Sequence, residues 1–210
     1  AAGLDLKVAI VEGDDLLGRA QEFAGVQEMY SAEAFPAPEK LASINAYLGA
    51  FPIAEALKRG ADIVITGRTV DSAVTLAACI HEFGWTREDA DRLAAGSLCG
   101  HILECGAQAT GGNFTDWQSV AETLWNIGYP IAEVSADGSF PATNPADTGG
   151  AVTVGTSGEQ MLYELGDPQA HRLGQRRGAA HRFAAEIHRA AEAHPHRARP
   201  DHEAPARLHA

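Results

Sequence analysis

The residues best suited to chemistry in this chain lie in one stretch, Gly100-His101-Ile102-Leu103-Glu104-Cys105-Gly106-Ala107-Gln108. On a helix, His101, Glu104, Cys105 and Gln108 fall at i, i+3, i+4 and i+7 and share one face, while Ile102 and Leu103 point elsewhere. An imidazole, a carboxylate and a thiol on one stripe have the parts for general acid–base or nucleophilic catalysis. The same stripe also reads as a solvated helix face carrying a local His–Glu pair. His-x-x-Glu-Cys is not the two-histidine zinc motif, because the final His is missing. Cys79, Cys99 and Cys105 show no CxxC or paired Cys/His spacing, so no metal site is expected. The Gly111-Gly112 loop that follows lets backbone approach a ligand closely.

A second group is Thr66-Gly67-Arg68-Thr69-Val70-Asp71-Ser72, at the carboxyl end of an expected strand. Open parallel sheets bind ligands at that edge, beside helix N-termini that favour anions. Arg68 suits a carboxylate or phosphate, which its guanidinium can grip bidentately. Asp71 and Ser72 read equally as caps of the next helix. Asn45 and Tyr47 precede this unit and are placed to line the same crevice. The acidic turn Glu12–Asp15 follows the first strand and faces the same edge, although ordinary solvated loop acids explain it as well. Asp147-Thr148-Gly149-Gly150 is too short for a P-loop and lacks its Lys, so it reads either as a ligand loop or as a plain turn.

These groups need a scaffold. Leu6–Val11 and Asp62–Thr66 are short, β-branched apolar runs that read as buried strands. Leu16–Phe23 reads as a helix and Val26–Ser43 as mostly loop. Ala50–Arg59, with Pro52 near its start and Gly60 after its end, has the expected helix asymmetry. Ala73–Phe83 is an apolar helix. Thr86 suits the N-cap of another, running toward Gln108 with a break near Gly96. Ile131–Val134 and Ser139–Thr143 flank Asp137-Gly138, a hairpin signal. Ala151–Val154 reads as a strand, and Thr156–Glu159 as a capping box opening a helix through Leu165. The class is α/β, a mostly parallel sheet with flanking helices on both faces plus a β-hairpin. Ala1-Ala2-Gly3 reads as a helix end leading into the first strand, so the domain is expected to be incomplete.

The chain has 210 residues and a formal charge of −12, but the charge is unevenly spread. Residues 171–210 hold 8 Arg, no Lys and 4 acids, a surplus of +4, so residues 1–170 carry −16. An acidic body argues against a nucleic-acid partner. There is no apolar run approaching about 18 residues and no signal-peptide pattern, so a membrane span is not expected. Three sparse cysteines fit a reduced, cytoplasmic setting. Residues 171–210 are rich in Ala, Arg, His and Pro and poor in large apolar residues, too few to offset ordering entropy. They read as a basic arm, a His-rich metal tract, or out-of-frame coding sequence. The expected organisation is therefore a domain over 1–170 and a tail over 171–210 that is disordered or out of frame.

Four segments recur in a familiar order. They are VEGDD (11–15), NAYLGAFPIAEALKRGADIVITGRTVDSA (45–73), GHILECGAQATGGNFTDW (100–117) and DTGGAVTVGTSGEQMLYELGDP (147–168). Together they resemble the acyclic terpene utilisation protein A family of bacteria, over about residues 4–170. The resemblance implies a larger α/β protein with a further strand–helix region before this one. It departs at His171, where a Tyr followed by apolar sequence is expected. It implies a place in the breakdown of acyclic terpenes, whose degradation runs through branched acyl-CoA thioesters, and a small-molecule substrate such as a branched acid or its acyl-CoA. Carried over by position, it makes Asp71, His101, Glu104 and Cys105 catalytic candidates. It makes Asn45, Gly67, Arg68, Gln108, Gly111, Gly112, Gly149 and Gly150 substrate-binding candidates. It names no cofactor. The competing reading is a non-catalytic ligand-binding or assembly protein of the same pathway, or an inactive fragment.

Overall fold

The computed structural model describes residues 3–28 and 31–163, together with a strand at 206–208. The first two strands are β1 (Val8–Val11) and β2 (Ile63–Thr66). They pair in parallel, with Val8 opposite Ile63 and Val11 opposite Thr66. Parallel neighbours need a crossover, and α1 (Ala50–Lys58) supplies it. Pro52 stands in its first turn, where the missing N–H has no helical partner to lose. The segment expected to be helical after β1 is a pair of 3-10 turns over Leu17–Phe23, kinked at Arg19.

Helices α2 (Ala73–Phe83) and α3 (Ala90–Glu104) follow. α3 starts later than Thr86 suggests. The Asp89 carboxylate accepts hydrogen bonds from the Thr86 main-chain N–H at 2.7 Å and from its hydroxyl at 2.9 Å, forming a turn before the helix. α3 also runs unbroken through Gly96. A Cβ there would lie 2.8 Å from Leu76 and 2.9 Å from Trp85, and one at Gly100 would lie 2.6 Å from the Ser72 carbonyl oxygen. Close α2–α3 packing thus uses glycines whose helix propensity alone argues for a break.

β3 (Ile131–Ala132) and β4 (Phe140–Thr143) form the expected antiparallel hairpin, with Ile131 opposite Thr143. Asp137 closes the turn by accepting from the Ser139 N–H at 3.0 Å and hydroxyl at 2.7 Å. β5 (Ala206–Leu208) lies antiparallel to β4 on its other side. The rest of the tail and Glu164–Leu165 lie outside the described residues.

The expected strand at Ala151–Val154 is absent. α4 (Val154–Leu162) begins there, one turn earlier than the Thr156 reading places it. Thr153 is the N-cap: its hydroxyl accepts from the Thr156 N–H at 3.1 Å, and its own N–H donates to the Thr156 hydroxyl at 2.9 Å. Threonine thus takes the reciprocal place usually filled by Glu or Gln. The Ala151 N–H donates to the Thr110 carbonyl instead of joining a sheet.

The molecule is a mixed α/β structure with two cores. The first gathers Val11, Ile53, Leu76, Ile80 and Trp85. The second gathers Leu98, Cys99, Ile102, Phe140 and Met161. Cover on both faces of the parallel strands is not found among the described residues. α1 packs over Ala9, Val11 and Val64, while Val8 (55% exposed), Ile10 (66%), Ile63 and Ile65 stand open on the other face.

Candidate functional site

The sequence-predicted residues fall into three neighbouring groups. The first is at the carboxyl edge of β1 and β2. Asp14, in the turn after β1, accepts from the Arg68 main-chain N–H at 2.8 Å and from the Asn45 side-chain amide at 2.9 Å, both on Oδ2. The Arg68 N–H does most to hold the Asp14 carboxyl below its ordinary range; partial desolvation opposes this, and the Asn45 amide lowers it further. A Cβ at Gly67 would sit 1.8 Å from Asp14 Oδ1, so a side chain there would displace the Asp14 carboxylate from its bond to Arg68. The segment holding Asn45 and Tyr47 is stitched between the two turns: Ala46 N–H donates to the Asp14 carbonyl and Leu48 N–H to the Arg68 carbonyl. The exposed Arg68 guanidinium lies 5.6 Å from the centre of the Tyr47 ring, a cation–π pair. The edge therefore presents a cation on an aromatic base, with its backbone fixed by an acid. Asp71 is exposed on the same turn, and α2 starts without a side-chain cap, so neither Asp71 nor Ser72 acts as one.

The second group is at the end of α3. The helix stops at Glu104, and Gly106 takes a left-handed φ of +53° before a 3-10 turn over Gly106–Gln108. His101, Glu104, Cys105 and Gln108 therefore do not form one helical stripe; the face bends after Glu104. His101 turns toward α4, where its Nε2 lies 2.8 Å from the Gln160 carbonyl oxygen. A carbonyl only accepts, so Nε2 carries the proton and Nδ1 is the nitrogen left to act as a base. The Gln160 side chain, 2% exposed, donates back to the His101 carbonyl at 2.8 Å and accepts from the Gln108 amide at 3.4 Å. Gln160 has no local signal in the sequence, since it acts on residues more than fifty positions away. On the outer side, the Cys105 thiol donates to Glu104 Oε1. Glu104 is exposed and Cys105 half-buried, so this pair is open to solvent. The other thiols are different in kind. Burial pushes Cys79 up, and burial together with the nearby Cys79 pushes Cys99 up to about 12.

The third group is the glycines. Cβ atoms at Gly112, Gly149 and Gly150 would lie 2.8 Å from the Ala107 carbonyl oxygen, 2.3 Å from the Thr123 carbonyl oxygen and 2.5 Å from the Thr110 carbonyl oxygen. Gly111, at φ +105°, faces Val120. Protein atoms occupy the space these glycines leave, and packing alone accounts for them. The fully buried Thr110 has no signal in the sequence, yet its hydroxyl donates to the Gly128 carbonyl, with the Ala107 carbonyl oxygen 3.0 Å away, and ties the loops together.

The first two groups are joined through the backbone. Gly100 packs directly on Ser72, so the turn carrying Arg68 and Asp71 abuts α3 one residue before His101. Among the described residues, no group of three or more His, Cys, Asp or Glu side chains converges to hold a metal, and no helix is long and apolar enough to cross a membrane.

Comparison with curated proteins and with solved structures finds no match. A family model does match, over residues 1–172, and its description is acyclic terpene utilisation family protein AtuA. That span takes in both strand turns, the end of α3, the glycine loops and α4. The chain belongs to the acyclic terpene utilisation family AtuA.

Proposed function

We propose that the protein is a cytoplasmic catabolic enzyme of acyclic terpene utilisation that acts on a branched acyl-CoA thioester, with Cys105 as nucleophile and Glu104 as its base. The observation that carries this reading is the solvent-open thiol-to-carboxylate hydrogen bond between Cys105 and Glu104. A thiol beside a positioned base is the arrangement that activates a nucleophile. Thiol chemistry favours the thioester over the free acid, because a carboxylate offers no leaving group. Glu104 takes the Cys105 proton as Sγ attacks the thioester carbonyl carbon. The carbon–sulfur bond to CoA then breaks, and Glu104 returns the proton to the departing CoA thiolate. The product is an acyl-Cys105 thioester, released by attack of water or another acceptor. Arg68 is the anion anchor, offering two parallel donors to a phosphate or carboxylate. His101 is a positioning residue that locks α3 to α4, and Asp71 remains a polar residue of the anion-binding turn.

The test is release of free CoA thiol from a branched acyl-CoA by a full-length family member carrying these residues. Cys105→Ser is expected to abolish release and Glu104→Gln to slow it by about 100-fold, the usual worth of a general base. Both variants should keep the wild-type fold by circular dichroism. Saturable binding of the thioester with no release in the wild type selects instead the non-catalytic ligand-binding reading.

A further inference from the structure

Tyr129 is 69% exposed, yet its surroundings fix it. Its ring lies over Gly106, where an added Cβ would meet Cζ and both Cε atoms at 3.2–3.4 Å. Similar distances to three atoms at one end of the ring mean that its face, not its edge, covers Gly106. Gly106 directly follows Cys105, so the ring covers the residue next in the chain to the Glu104–Cys105 pair. The backbone just before it is pinned by the loops that the sequence offers as ligand contacts. The Gly128 carbonyl accepts from the buried Thr110 hydroxyl, and the Gly128 N–H donates to the Gly149 carbonyl at 3.3 Å. The Gly149 N–H in turn donates to the Asn126 carbonyl at 2.8 Å, and the Gly150 N–H to the Thr123 hydroxyl at 2.9 Å. The two glycine loops thus converge on the short segment that carries Tyr129.

We infer that Tyr129 is a specificity-determining residue: the aromatic wall on which the branched hydrocarbon chain of the substrate lies while its carbonyl group is at Cys105. An exposed ring on a fixed backbone gives apolar contact area at little ordering cost. The adjacent left-handed glycine keeps the ring flat against the turn. This inference rests on the Cys105 reading above for the position of the carbonyl, but not for the contact with the chain.

The test separates the two. Unreactive CoA thioethers, one bearing a branched isoprenoid chain and one bearing a methyl group, are titrated calorimetrically into the intact protein and into Tyr129→Ala, Tyr129→Phe and Cys105→Ser. Tyr129→Ala is expected to weaken the branched thioether by about tenfold and leave the methyl thioether unchanged, as loss of one aromatic contact predicts. Tyr129→Phe should bind both like the wild type. Equal binding of the branched thioether by wild type and Tyr129→Ala overturns the inference. So does an equal loss of both ligands, or no binding of the branched thioether by the wild type. Because a thioether cannot react, Cys105→Ser should bind it normally; a wild type that binds the branched thioether tightly but transfers no acyl group from the matching acyl-CoA thioester sinks the proposed chemistry alone.

Discussion

Cys105 differs from the other two thiols in ways alkylation can read directly. Cys79 and Cys99 are buried and held as thiols by desolvation, with Cys99 pushed up to about 12. Iodoacetamide at neutral pH is expected to label Cys105 alone in the folded protein and all three thiols after unfolding, as peptide mapping would show. Labelling of Cys79 or Cys99 at the Cys105 rate would contradict the packing described for α2 and α3. His101 makes the opposite prediction. Because its Nε2 serves the Gln160 carbonyl, His101→Ala should lower stability by about 1–3 kcal/mol, the cost of one orphaned group, read as an earlier urea midpoint. The sequence spacing puts His101, Glu104 and Cys105 on one face, but the fold divides them, with His101 turned to α4 and the Glu104–Cys105 pair on the outer side. That division depends on Gln160, which only the tertiary fold brings near. Asp14 shows the same limit, since its bond to Arg68 exists only because β1 and β2 pair in parallel. Its carboxyl pKa is depressed in the fold, so the stability it contributes is present above the ordinary carboxyl range and is lost as pH falls through the lowered value. The protection of the Arg68 amide hydrogen, corrected for the intrinsic exchange rate at each pH, should fall over that acidic interval, and Asp14→Ala should abolish that change in protection.

At the scale of elements, the strand and helix signals were legible wherever they were local. The pattern locates α1 and α2, the turn at Asp137-Gly138, and both parallel strands to within two residues. Errors arose where a distant partner overrode a local preference. Gly96 and Gly100 argue against a continuous α3, but the space they free is filled by α2 and Trp85. Their alanine variants should separate. At Gly96 the neighbours are the end of the Leu76 side chain and the Trp85 ring, which can shift, and alanine gains about 1 kcal/mol of helix propensity. At Gly100 the neighbour is Ser72 backbone, which cannot move without shifting the start of α2. Gly100→Ala should therefore cost about 1–3 kcal/mol and Gly96→Ala markedly less, measured by chemical denaturation. The end of α3 carried a readable signal in Gly106, the residue type that most often accepts a left-handed turn after a helix. That glycine outranks the i, i+3, i+4, i+7 spacing and takes Gln108 off the stripe.

At the scale of the molecule, residues 1–170 carry −16 and residues 171–210 carry +4. The run of β-branched residues in the strands implies burial on two faces, but α1 covers only one among the described residues. Ile10→Thr, on the open face, should change stability by no more than about 0.5 kcal/mol, whereas Ile53→Ala in the core should cost about 2–5 kcal/mol. The proposed site draws on the Glu104–Cys105 pair, the Tyr129 ring and Arg68, the last on a turn whose Ser72 packs against Gly100 of α3. The proposed chemistry turns on acylation of Cys105 with help from Glu104. Intact-protein mass spectrometry after brief exposure to a branched acyl-CoA tests that most directly. A single mass gain equal to the acyl group is expected, mapped to Cys105, absent in Cys105→Ser and slow to appear in Glu104→Gln. An unmodified wild-type protein, or an adduct on any residue other than Cys105, would contradict it.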